Sequence, residues 1–171
     1  MTRAPEELRV AARQIADEVL FPRALEADVA GTVPVEQLQC LADAGFYGIS
    51  TYCDGPTIAE LIEIIASGCL TTTFVWTQHL GAAAAAFRAL GPVNDELADP
   101  LRSGAKRGGV AFAHMLRPGT PLTTATPDGD GWLFNGTAPW VTGWGHIDVV
   151  HAAARHGDDI VWVLLLSLIH I

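Results

Sequence analysis

The chain is predicted to be an α+β protein, with an N-terminal all-α helical bundle followed by an antiparallel, β-barrel-like domain. Three observations carry this expectation. Through Arg107, apolar side chains recur at helical spacing, with proline near helix starts and glycine past their ends. After Arg107 the pattern changes to short β-branched and aromatic runs broken by Gly, Asn and Asp. The 171 residues are 50% hydrophobic and 17% charged, which excludes a disordered tail, a collagen-like repeat or a disulfide-dense miniprotein. A chain of this length buries roughly 70% of its unfolded surface. The division expected is a helical domain over 1–107, an incomplete β-domain over 108–166, and a tail over 167–171.

Each element has its own signal. Glu6 to Leu25 carries Leu8, Ile15, Val19 and Leu20 on one face, and Pro22 predicts a kink or end near Leu20–Phe21. Pro34 opens the next helix, with Val35, Leu38 and Leu41, and Gly45 closes it. Pro56–Thr57 opens a third helix that Gly68 ends. Thr71 to Leu90 is apolar almost all round, as expected of a helix central to a bundle. Asn94 or Asp95 is expected to cap a short helix that ends by Gly104.

In the second part, Gly109–Phe112 and Leu122–Thr126 read as strands, and Pro127-Asp128-Gly129-Asp130-Gly131 as a turn. Trp132–Phe134 reads as a strand, Asn135–Gly136 as a hairpin turn, and Thr137–Val141 as its return strand. Ile147–Ala154 and Ile160–Leu166 form a further pair around His156–Asp159. The apolar ending Ser167-Leu168-Ile169-His170-Ile171 has no polar stop and reads as an artefactual tail of a truncated or misread gene, ahead of an apolar edge on which a soluble partner docks.

Ten Lys and Arg against 19 Asp and Glu give a net charge of −9. Phosphate-backbone binding needs clustered cations, so no nucleic-acid partner is expected. No apolar run reaches the ~20 residues of a membrane span, so no membrane partner is expected. Cys40, Cys53 and Cys69 form no C-x-x-C pair, and with no leader pattern at the start the chain reads as a reduced, cytoplasmic protein. Cys40 and Cys69 read as small buried hydrophobes. None of the six histidines has a partner at metal-ligand spacing, so no metal site is expected.

The segment Pro139-Trp140-Val141-Thr142-Gly143-Trp144-Gly145 stands out. Two indoles and a hydroxyl end a strand, and the glycines leave room for a planar ligand beside the backbone. A tryptophan packed into the core beside a Gly-rich turn explains the same residues. Of the five tryptophans, only Trp140 and Trp144 have a positional reason for a site role; the others read as core or cofactor-side packing. Phe74, Val75 and Trp76 fit either a core stripe or the border of a channel.

Asp128-Gly129-Asp130-Gly131-Trp132-Leu133-Phe134-Asn135-Gly136-Thr137-Ala138-Pro139-Trp140-Val141-Thr142 resembles the "DGDGW-x-x-NG-x-x-x-WIT" segment of the acyl-CoA dehydrogenase family. The helix around Phe74–His79 and the Pro100-Leu101-Arg102-Ser103-Gly104 step are similar to the end of that family's helical domain. The resemblance covers residues from about 5 to about 165 and implies an FAD-dependent enzyme that oxidises the α,β carbons of an acyl-CoA thioester, in fatty acid metabolism. It places cofactor-binding roles on Trp140, Val141 and Thr142, with the Thr hydroxyl near flavin N5. The preceding strand of the family, which covers the flavin's pyrimidine side, falls on Phe112, Ala113, His114 and Met115. Where the family reads Thr-Glu-Pro, this chain has Met115-Leu116-Arg117-Pro118. His79 falls on the inner side of the bundle and reads as a buried structural histidine ahead of a substrate contact.

The resemblance further implies an electron-transfer acceptor and a homo-oligomer, tetramer or dimer, for the full-length protein. The family's glutamate base lies in a C-terminal helical domain, so no catalytic residue is assigned within this chain, which alone is expected to be inactive. Two alternatives are a flavin-dependent monooxygenase of the same fold and a non-catalytic flavin-fold interaction module.

Overall fold

A computed structural model describes residues 3–167, and residues 168–171 of the expected tail lie outside the described residues. Six α-helices precede five strands: α1 (Pro5–Ile15), α2 (Ala24–Val29), α3 (Val35–Asp43), α4 (Gly55–Gly68), α5 (Leu70–Arg88), α6 (Pro92–Ser103), β1 (Gly108–Ala111), β2 (Thr123–Asp128), β3 (Gly131–Gly136), β4 (Val149–His156) and β5 (Asp159–Leu166).

The helix break near Leu20–Phe21 is present. After α1 a single π turn spans Ala16–Leu20, and a 3₁₀ turn at Phe21–Arg23 accommodates Pro22 before α2. The π turn begins where α4 crosses α1 most closely. A Cβ on Gly68 would lie 2.6 Å from the Ala16 carbonyl oxygen and 2.7 Å from its Cα, so only glycine lets the two backbones meet. Helix α4 starts as expected, the Asp54 carboxylate accepting the Thr57 N–H at 2.9 Å.

Two expectations are corrected in the helical part. Asn94 does not cap its own helix; its side-chain amide donates to the carbonyls of Ala86 and Phe87, satisfying the C-terminal end of α5. Helix α5 is central but not enclosed. Thr72, Trp76, His79, Leu80, Ala83 and Ala86 are buried, whereas Leu70, Phe74 and Phe87 face outward. A 3₁₀ turn over Phe46–Thr51, not predicted, buries Phe46, Tyr47 and Ile49. Phe46 meets Trp76 edge-on at 6.1 Å between ring centroids.

The sheet is mixed and open. Hairpins β2–β3 and β4–β5 are antiparallel, as expected, but β1 and β2 both join β4 in parallel. The expected return strand over Thr137–Val141 does not form. The turn after Asp128 closes the β2–β3 hairpin, so Asn135 and Gly136 are strand residues opposite Thr124 and Thr123. A Cβ on Gly136 would lie 2.8 Å from the Thr123 Cα, and the chain leaves the sheet there.

Helical layer and sheet meet along α5. Its first half lies in the helical core with Leu38, Leu41 and Leu61, and its second half packs with Leu97 and Leu101 of α6 and Val149 of β4. At the seam, the Gly108 N–H donates to His79 Nδ1 at 2.9 Å. A Cβ on Gly108 would sit 2.5 Å from that of Ala82. Accepting at Nδ1 makes His79 the neutral Nε2–H tautomer, and burial pushes its pKa down to about 4.

The pH dependence has a definite sign. Between about pH 4 and the ordinary histidine value near 6.5, the unfolded chain binds a proton at His79 that the folded chain refuses. Stability therefore rises with pH across that window, by ~3 kcal/mol from this group, and levels off above it. Urea unfolding of wild type and His79→Asn near both ends of the window checks this. The variant is expected to lose most of the slope, and an unchanged slope contradicts the assignment.

Candidate functional site

The segment between β3 and β4 carries the residues that the sequence singled out, and it is fastened at several points. The Thr137 N–H donates to the Leu122 carbonyl at 3.1 Å, and the His146 N–H to that of Gly143 at 2.8 Å. The His146 ring bonds the Thr32 hydroxyl at 3.0 Å, tying the segment to the loop before α3. The Asp148 carboxylate accepts the Arg107 N–H at 2.8 Å. A Cβ on Gly109 would meet the Thr142 carbonyl at 2.9 Å, and one on Gly143 would meet Val75 at 3.4 Å. The segment thus lies directly on β1 and reaches α5.

This fastening presents Trp140, Val141 and Thr142 as a shelf. Trp140 is 46% exposed and Trp144 64% exposed, and Val141 and Thr142 are half-buried. Among the described residues, the N–H groups of Val141 and Thr142 meet no backbone carbonyl. The shelf therefore combines an open aromatic face with unspent backbone donors and a hydroxyl, a set suited to the edge of a planar heterocycle. Beside it lies an apolar cavity of about 290 Å³, lined by Val141 and Trp144 together with Thr123, Phe134, Val150 and Leu165.

His114 and Met115 are joined to this cavity from beneath. Both are buried, in a 3₁₀ turn over Ala113–Leu116. The Thr123 hydroxyl donates to the Ala153 carbonyl at 3.0 Å, so it accepts from His114 Nε2 at 2.7 Å, fixing that tautomer. Phe112 is not brought to the shelf. Its ring packs against His151 and Trp162, at centroid distances of 5.3 and 5.1 Å. By strand alternation His151 points to the face opposite Val150, which lines the cavity. Burial lowers the pKa of His151 within this aromatic trio.

Of the aromatic residues weighed in sequence, Trp76 is core, at 1% exposed, and Phe74 is exposed. Of the other tryptophans, expected in the core or on the cofactor side, Trp132 and Trp162 are not core residues and expose about half their surface. Thr123 and Arg117 were not foreseen. Arg117 lies over the Trp140 ring, 4.6 Å from its centroid. A threonine in an alternating run and an arginine before proline carry no signal that marks them in sequence. Among the described residues, no group of three or more His, Cys, Asp or Glu could hold a metal ion. No helix there is long and apolar enough to cross a membrane.

No family model matches the chain. It is 26% identical over 153 residues to the mitochondrial short-chain specific acyl-CoA dehydrogenase of Bos taurus, a match covering 79% of this chain and 36% of that protein. In structure it is similar to a glutaryl-CoA dehydrogenase from Mycobacterium smegmatis in complex with FADH2, with TM-score 0.82 and 18% identity over 97% of this chain and 46% of that one. It is also similar to the HsaA monooxygenase from M. tuberculosis, with TM-score 0.79 and 19% identity over 96% and 44% of the two chains. The chain thus spans about a third of the curated relative and less than half of these structures. Its fold is acyl-CoA dehydrogenase-like.

The Thr123 bridge beneath the site is testable by itself. Thr123→Val keeps the shape but leaves His114 Nε2–H buried without an acceptor, an expected loss of about 1–3 kcal/mol. Chemical denaturation measures it, and a variant as stable as wild type contradicts the bridging role.

Proposed function

We propose that these residues are the helical (1–107) and sheet (108–166) parts of an FAD-dependent oxidoreductase of the acyl-CoA dehydrogenase type. The observation that carries the reading is the Trp140–Val141–Thr142 shelf, with its exposed indole and unspent donors, on the segment that matches the family's motif. The groups present fit an isoalloxazine: an aromatic wall, backbone N–H donors and a hydroxyl at one edge. Bound FAD would supply the two-electron acceptor for oxidation of the substrate's α,β carbons.

The chain's own contribution is placement. Trp140 would cover one side of the ring and exclude water from it. The Thr142 hydroxyl and the Val141 and Thr142 N–H groups would fix its heteroatoms at ~1 kcal/mol each. His114 and Met115 act through the turn they anchor and through Thr123, while Phe112 stays with His151 and Trp162. The substrate of this reading is an acyl-CoA thioester, supported by the identity to the bovine short-chain enzyme. This reading assigns no base for the α-proton among these residues, and it takes an electron-transfer acceptor and a second copy of the chain as partners. A cytoplasmic location accompanies this reading.

A second reading, a flavin-dependent monooxygenase, is favoured by one observation. Arg117 stands where a Thr-Glu-Pro stretch is expected, so the wall beside the shelf is cationic, and the fold is shared with the HsaA monooxygenase.

Flavin titration tests the common part. The chain is expected to take up FAD with visible absorbance and quenched flavin fluorescence. Thr142→Val should weaken binding about fivefold and Trp140→Ala roughly tenfold. A chain that takes up no flavin, or binding indifferent to both substitutions, contradicts the proposal.

A further inference from the structure

We propose that Arg117 makes the Trp140–Thr142 shelf select a ligand that carries a phosphate, an inference that rests on reading this shelf as a cofactor site. The Arg117 guanidinium carbon lies 4.6 Å from the Trp140 ring centroid. The ion pairs among the described residues involve Arg9, Arg23 and Arg102, and none involves Arg117. A guanidinium over an aromatic face is held through its π surface, which leaves its N–H donors unspent.

The cation is also delivered on a firm base. The Arg117 N–H donates to the His114 carbonyl at 3.1 Å. The His114 ring, 4% exposed, is bonded to Thr123, which is bonded in turn to the Ala153 carbonyl. Arg117 itself is extended, with φ −84° and ψ 137°, the region that the following Pro118 favours.

Charge sharpens the argument. A chain of net charge −9 repels anions from most of its surface. That repulsion decays within about 8 Å at physiological ionic strength, so affinity for an anion must come from a local donor set. The Arg117 fork, left free by its stacking on Trp140, matches two oxygens of a phosphate. The phosphate could belong to the flavin nucleotide or to a coenzyme A thioester.

The test is calorimetric titration of inorganic pyrophosphate into the full chain, as wild type, Arg117→Gln and Arg117→Lys, with thermal unfolding as the control for folding. Saturable binding to wild type is expected, weakened about tenfold or more in Arg117→Gln, with Arg117→Lys between. Absent binding, or equal binding by wild type and Arg117→Gln, overturns the proposal. Comparing FMN with riboflavin, and coenzyme A with pantetheine, identifies the source. The pair whose phosphate preference collapses in Arg117→Gln names it, and two preferences indifferent to Arg117 overturn the proposal. Loss of riboflavin and FMN binding with pyrophosphate binding intact contradicts the flavin reading and leaves the phosphate assignment standing.

Discussion

Helix α5 and strand β1 approach closely enough that Ala82 and Gly108 leave no space for another carbon, and His79 accepts the Gly108 N–H at the same point. Both hydrophobic cores include residues of α5, so this contact fixes how sheet and helices sit on one another. Every feature of the candidate site is downstream of it. Gly109 receives the carbonyl of Thr142, Gly143 reaches Val75, and the Arg107 backbone exchanges hydrogen bonds with Asp148. A side chain at Gly109 would push the shelf away from β1, and one at Gly108 would push β1 away from α5. The buried ring stays neutral while it accepts at Nδ1, and protonation would remove that acceptor, which is why acid is the condition that opposes the contact.

The helical part was largely legible because its signals are local. Proline at the start of α4, glycine at its end and the break at Pro22 each act within one or two turns. The sheet was legible in its strands but not in all its pairings. Asn135–Gly136 has the composition of a tight hairpin turn, yet the Asp128–Gly131 turn closes the hairpin first and makes Asn135 a strand residue. Parallel pairing of β1 and β2 with β4 depends on contacts between residues about 30 to 40 positions apart, which no short pattern encodes.

The site divides along the same line. Trp140, Val141 and Thr142 lie within one motif, and the structure presents them together. Phe112, His114 and Met115 follow one another closely but diverge, because a 3₁₀ turn after β1 sends Phe112 to the aromatic trio and folds His114 and Met115 under Thr123. Thr123 and Arg117 owe their importance to partners 30 and 23 residues further along the chain. The result is a shelf, set in an acyl-CoA dehydrogenase-like fold, whose rim carries a cation over an indole.

The central claim is that a flavin edge occupies the donors of Val141 and Thr142. Amide hydrogen exchange with and without FAD addresses it residue by residue, because those two N–H groups meet no backbone acceptor among the described residues. The account predicts that they exchange quickly in the free chain and slow on addition of FAD, while Gly108, already bonded to His79, stays slow throughout. FAD-induced protection elsewhere, with Val141 and Thr142 still exchanging freely, would contradict it.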